Sequence, residues 1–274
     1  MQPWWFEHTG ELARGLLVGA FVFVGVWETL RRQRILVLPT AKRWLLNGLL
    51  LFLANITTFL VFPVSAVALS AAVRSSPYGV LNGAWLAYPV RAVLAFLLLD
   101  LFRYATHYLQ HAVPLLWRFH RVHHADRDLD LSTGVRFHPG EALFTHGVYL
   151  LVIAATAPPA FVVLCSELCN IAQAFFSHAN LTLPSRVEKT LRMIQVTPEI
   201  HRIHHSQDPG DQRCNLAVIF SFWDRLFRTY RSFSNLGEDQ LEFGLEEISA
   251  SQSLRPLAML TLPFYRRTGA AGER

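Results

Sequence analysis

Five residues of this chain occur nearly twice. His120-Arg121-Val122-His123-His124 returns as His201-Arg202-Ile203-His204-His205, and each copy reads H-x-x-H-H. Residues three and four apart share one face of a helix, so each copy is expected to aim three imidazoles at one point. His107 and His111 have the i, i+4 spacing that does the same. His178, in Ser177-His178-Ala179-Asn180, stands where a ninth ligand could complete the set. Imidazole suits iron, zinc, copper and nickel. A structural zinc takes four ligands and a catalytic zinc three. Nine histidines exceed one metal's capacity, so two metals are expected. A pair of irons could bind and reduce O2 and attack an unactivated C–H bond, the kind that lipids offer.

These side chains need helices to hold them. Asp100, Tyr104, His107 and His111 fall at offsets of four, seven and eleven residues, one stripe of a helix with about 3.6 residues per turn. His107 and His111 are expected to ligate metal. Asp100 and Tyr104 lie a turn or more back, where a partner for an imidazole N–H is expected. Nothing breaks this helix before Pro114, and His120, His123 and His124 follow on the next short one. The second triplet starts at Thr197-Pro198, a cap residue and a first-turn proline, and stops before Asp208-Pro209-Gly210.

The surroundings are apolar. Of 274 residues, 52% are hydrophobic and 16% charged, against about 25% charged in a typical soluble protein. The apolar residues come in blocks, which points to an integral membrane protein. The net charge of +5 is scattered, with no basic run interleaved with aromatics, so no nucleic-acid partner is expected. Cys165, Cys169 and Cys214 are too few and too odd in number for a disulfide framework, and the first two read as small buried hydrophobes.

A first span is expected from about Leu12 to Leu30, retained rather than cleaved. Arg31, Arg32, Arg34, Lys42 and Arg43 follow and should stay in the cytoplasm, with the N-terminus outside. The block from Trp44 to about Val73 contains Pro63 and should tilt or kink. Ser75 to Gly79 form a turn-rich outer loop, and Ala84 to about Leu101 returns to the cytoplasm. Pro158-Pro159 should break the block from Ala142 to Phe176 into two half-length helices, a re-entrant hairpin. The expected fold is all-α: about three transmembrane helices, the hairpin, and a cytosolic helical cap holding a dimetal site. It is one domain over 1–274: membrane helices 1–101, a first histidine region 102–141, the hairpin 142–176, and a second histidine region with the cap 177–274. Every clustered histidine then lies on the cytoplasmic side. Gly269 to Arg274 are expected to be disordered.

Three function classes compete. A metal transporter would put its ligands along a path inside the spans, whereas these follow them. A non-catalytic lipid-binding protein has no need of nine ligands. No H-E-x-x-H, G-x-S-x-G or dinucleotide fingerprint occurs. A lipid-product assay under O2 would separate both the transporter and the binding protein from an oxygenase.

The order of motifs resembles the fatty acid hydroxylase / sterol desaturase superfamily. It runs Asp100, Tyr104, His107, His111; His120, His123, His124; Arg136-Phe137-His138-Pro139-x-Glu141; His178-x-Asn180; His201, His204, His205; Asn215; and Trp223-Asp224-Arg225-Leu226-Phe227. The resemblance covers about Asp100 to Tyr230. It implies a membrane-bound, non-haem di-iron enzyme that hydroxylates or desaturates a lipid with O2. It implies that the matched histidines ligate metal and that a separate reductase system supplies electrons. Two positions depart from it. Some relatives have a histidine where Ala174 stands, which would leave one metal with a water or an Asn neighbour; Asn180, like Asp100 and Tyr104, is expected to be an outer partner of the ligands. The closing Phe-Gly-Thr-Tyr of many relatives is Phe227-Arg228-Thr229-Tyr230 here.

Other polar residues keep two readings. His138 either supports a ligand or packs. Asp126, Asp128 and Asp130 either anchor histidine N–H groups or form a solvated loop. Arg121 and Arg202 face headgroups or a carboxylate. Trp4, Trp5, Trp44 and Trp117 read as interfacial anchors.

Overall fold

A computed structural model describes residues 4–74, 79–81, 87–237 and 241–265. Residues 75–78 of the expected outer loop, the start of the third block and the 269–274 tail lie outside the described residues. Among the described residues the architecture is all helical, with isolated bridges such as Arg32–Leu181 in place of strands. After a short α1 (Trp4–Glu7) come α2 (Thr9–Leu30), α3 (Thr40–Val61), α4 (Ala66–Val73), α5 (Tyr88–Ala112) and α6 (Pro114–His124). Then follow α7 (Pro139–Thr156), α8 (Ala160–His178), α9 (Ser185–Leu191), α10 (Pro198–His204) and α11 (Phe222–Leu226), with α12 (Ala250–Ser253) and α13 (Pro256–Thr261) closing the cap.

Prolines set the joints. Pro63 has no N–H to continue the ladder, so α3 stops and α4 restarts with Ser65 accepting from Ala68 N. Pro158-Pro159 separates α7 from α8, as expected. Pro114 opens α6 immediately after α5, which turns the chain between His111 and His120.

Among the described residues, four stretches are long and apolar enough to cross a membrane: α2, α3 with α4, α5, and α8. The expectation was three with a hairpin; the fourth is the hairpin's second arm. That arm has 19 residues, about 28 Å at helical rise, close to the thickness of a hydrocarbon core. Val22, Phe23 and Val26 on α2 and Phe52 and Phe59 on α3 face outward, apolar surface that lipid would cover. Inside, Leu99 of α5, Val152 and Ile153 of α7, and Val163 and Leu164 of α8 pack with Ala66 and Val67 of α4.

The cap is joined to these helices by buried polar groups. Arg43, fully buried at the start of α3, donates from Nε and Nη2 to Asp126 at 2.9 Å each and from Nη1 to Asp130 at 2.5 Å. Asp128 accepts from the Val37 and Leu38 amides. Arg136 donates to Val122 O and to Asn47 Oδ1. The three aspartates therefore neither anchor histidines nor face water; Asp126 and Asp130 bind the loop after α6 to α3, and Asp128 binds it to the segment just before α3. Trp44 joins them through Asp130 and is not simply an interfacial anchor.

Candidate metal centre

The ends of α5, α6, α8 and α10 meet at one place. Their histidine nitrogens fall into two clusters, His107, His111, His120, His124 and His204, and His123, His178, His201 and His205; within each, one nitrogen per residue lies within 4.8 Å of the others. All nine predicted histidines are brought together. The expectation that each H-x-x-H-H motif converges on one point is corrected. The first motif gives His120 and His124 to the first cluster and His123 to the second. The second motif gives His201 and His205 to the second cluster and His204 to the first. At roughly 100° per residue, the i and i+4 side chains project about 40° apart, and i+3 lies about 60° to the other side. Two crossed motifs thus contribute to two clusters.

Acceptors hold the outward nitrogens of four of these rings, while His123 Nδ1 and His201 Nδ1 are buried without a hydrogen-bond partner among the described residues. His107 Nδ1 donates to Leu216 O at 2.8 Å, His204 Nδ1 to Cys214 O at 2.9 Å, and His178 Nδ1 to Ala174 O at 2.7 Å. His120 Nδ1 meets Glu141 Oε1 at 2.6 Å. Donation at Nδ1 leaves Nε2 as a lone pair. His107 and His120 therefore point two lone pairs at each other across 3.2 Å. Among the described residues, His111 Nε2, His204 Nε2, His205 Nε2 and both nitrogens of His124 are buried without a hydrogen-bond partner. Facing lone pairs and orphaned buried nitrogens cost free energy unless a cation sits among them. Burial, then the neighbouring imidazoles, hold His120, His124 and His205 well below the usual histidine range, so the rings are neutral and able to ligate. The donor set fits two imidazole-loving metal ions.

Glu141 was missed as a partner in the sequence reading, although it stood in a quoted motif. It opens the first turn of α7, and burial raises its carboxyl well above the usual range. A cation at His120 Nε2 would favour its ionised form. Pro139, two residues before Glu141, was the available signal of a helix start.

The three expected partners lie elsewhere. Asp100 accepts from the Ile219 and Phe220 amides and Trp223 Nε1. Tyr104 donates to Thr229 Oγ1, which donates to Asp224 Oδ1. Both fix the loop that carries Leu216 O, so they reach His107 through backbone. Asn180 holds the Arg34 amide and carbonyl, away from the ligand nitrogens. His138 caps α7, accepting from Gly140 N. Thr197 does not cap α10, because its hydroxyl donates to the buried Glu188 at 2.5 Å. Arg121 bonds Leu262 O and Tyr265 O, and Arg202 bonds Leu181 O, so neither is a headgroup contact alone. Trp117 packs on His111 and His124. Arg228, in place of the relatives' glycine, adopts φ 63°, the left-handed conformation glycine accepts most easily.

An all-helical membrane protein with two buried histidine clusters defines the class. A model of the family "Fatty acid hydroxylase" matches residues 92–229, half of the chain. The chain belongs to the fatty acid hydroxylase family. It is 29% identical over 171 residues to alkylglycerol monooxygenase of Danio rerio, covering 62% of this chain and 36% of that protein. It is 27% identical over 142 residues to the ornithine lipid hydroxylase of Rhizobium tropici, covering 52% of this chain and 42% of that protein. It is 25% identical over 144 residues to human cholesterol 25-hydroxylase, with 52% of each covered. The chain thus spans between about a quarter and a half of the length of the curated relatives it matches. No solved structure matches it.

Proposed function

We propose that this chain is an O2-dependent lipid hydroxylase whose nine histidines hold two irons. The observation that carries this reading is the division of nine clustered imidazoles, seven of them buried, into groups of five and four. Its relatives' names, which are those of lipid hydroxylases and monooxygenases, support it. When bound, a pair of irons would supply reduction of O2 and removal of hydrogen from an unactivated C–H bond. The chain does the rest. Nδ1 donation to carbonyls and Glu141 fixes the tautomers of His107, His120, His178 and His204, so that their Nε2 faces inward. Burial of His120, His123, His124 and His205 keeps bulk water from the centre. The cluster sits at the ends of α5 and α8, where a lipid chain in the bilayer could present one C–H bond. Electrons would come from a separate reductase, and the clusters would lie on the cytoplasmic side, where Arg31, Arg32 and Arg34 follow α2. Desaturation is the second outcome of the same chemistry, if a second hydrogen is removed from the adjacent carbon.

Membranes containing the chain, supplied with isotopically heavy O2 and a reductase system, should yield a lipid carrying one heavy oxygen atom. Membranes with His123→Ala should not. A retained product in that variant, or none in either, contradicts the proposal.

A further inference from the structure

The segment from Cys214 to Ala217 touches the first histidine cluster twice. Cys214 O accepts from His204 Nδ1 and Leu216 O accepts from His107 Nδ1. These histidines stand on different helices, α10 and α5. The residue between the two carbonyls is Asn215, with φ 54°. Asparagine tolerates the left-handed region better than most residues. Its side chain is fully buried and fully used. Nδ2 donates to Ile200 O and Arg231 O at 2.9 Å each, Oδ1 accepts from Arg231 N at 2.9 Å, and the Asn215 amide donates to Thr229 O at 2.8 Å. Ile200 immediately precedes His201 in α10. Asp224 holds the next two amides, those of Leu216 and Ala217.

We propose that Asn215 is a positioning residue for the first cluster: its left-handed turn and three side-chain bonds aim the Cys214 and Leu216 carbonyls at His204 and His107. This rests on the two-metal reading. The bonds fix both rings with Nε2 inward, while the second cluster takes its one backbone acceptor from elsewhere, at Ala174 O. Asn215 touches no ligand itself. It sets the ring acceptors of two ligands of the first cluster and of none of the second, which it reaches only through the α10 backbone at Ile200, so the loss of its side chain falls mainly on the first cluster. Outer partners of metal-bound histidines typically carry about 10–100-fold in metal affinity.

The test is titration of the metal-stripped, detergent-purified full chain with cobalt(II), read by visible absorption and by metal content after dialysis. Wild type, Asn215→Ala and Asn215→Gly are compared, with His120→Ala and His205→Ala marking the two clusters. The expected result is two binding events in wild type. In Asn215→Ala the event that is also lost in His120→Ala weakens about 10–100-fold, and the event lost in His205→Ala weakens less. Asn215→Gly, which meets the left-handed conformation without strain, should recover part of the loss and is read in the same way if the alanine variant does not fold. Wild-type binding in both variants overturns the proposal. So does equal weakening of both events alongside a lower melting temperature, the mark of a merely structural residue. Fewer than two binding events in wild type overturn the two-metal reading, and this proposal with it.

Discussion

The bond from His120 to Glu141 places a carboxylate against a histidine of the first cluster, the one such contact among the described residues. A carboxylate accepting an imidazole N–H makes the opposite nitrogen a better donor to metal. Glu141→Gln keeps an acceptor without the charge, and Glu141→Ala removes both. Metal retention by the first cluster should fall about 10-fold for glutamine and about 100-fold for alanine, measured by competition with a chelator. Equal retention in all three proteins would remove Glu141 from the account. The histidines themselves were legible in the sequence because their spacing is a property of one helix at a time. Glu141, Leu216 O and Cys214 O were not. They become neighbours of the histidines only through tertiary packing, and a backbone carbonyl leaves no mark in a sequence. Asp100 and Tyr104 misled for the same reason: helical register put them on the right stripe but not against the right partner.

At the scale of elements, α3 and the loop after α6 are tied by Arg43, Asp126 and Asp130. This loop leaves directly from His124, so its anchorage sets the end of α6. Arg43→Met keeps length and removes charge, leaving two buried carboxylates without their cation. The cost should be about 3–5 kcal/mol, seen as a lower melting temperature and reduced metal content. A change below about 1 kcal/mol, the worth of an exposed pair, would contradict a buried role. Helix boundaries were readable where prolines fix them, at Pro63, Pro114 and Pro158-Pro159. The aspartate loop was not, because Asp126, Asp128 and Asp130 read alike as a solvated run until the partner on α3, more than eighty residues earlier, is known. Gly134 shows the same limit. A Cβ there would collide with Ala174 O, the acceptor for His178, so this glycine permits the approach of the 131–135 turn to α8.

For the whole molecule, the membrane class was legible from apolar blocks, since span length follows from bilayer thickness. The fourth candidate span was not distinguished from a hairpin arm, because both are apolar runs ended by prolines. The account requires Glu11, in the first turn of α2, and Arg186, in α9, to lie on opposite sides. In a cysteine-free background, Glu11→Cys should react with an impermeant thiol reagent added to intact cells, and Arg186→Cys only after lysis. The reverse pattern, or both reacting from outside, would contradict the cytoplasmic placement of the clusters.

The most direct test counts metal on anaerobically purified chain, with Mössbauer spectra after iron-57 enrichment. The account predicts about two irons per chain in a coupled, non-haem state, falling to about one in both His120→Ala and His205→Ala, because a di-iron centre needs both groups of imidazoles. One tightly held zinc with no uptake of iron would contradict it.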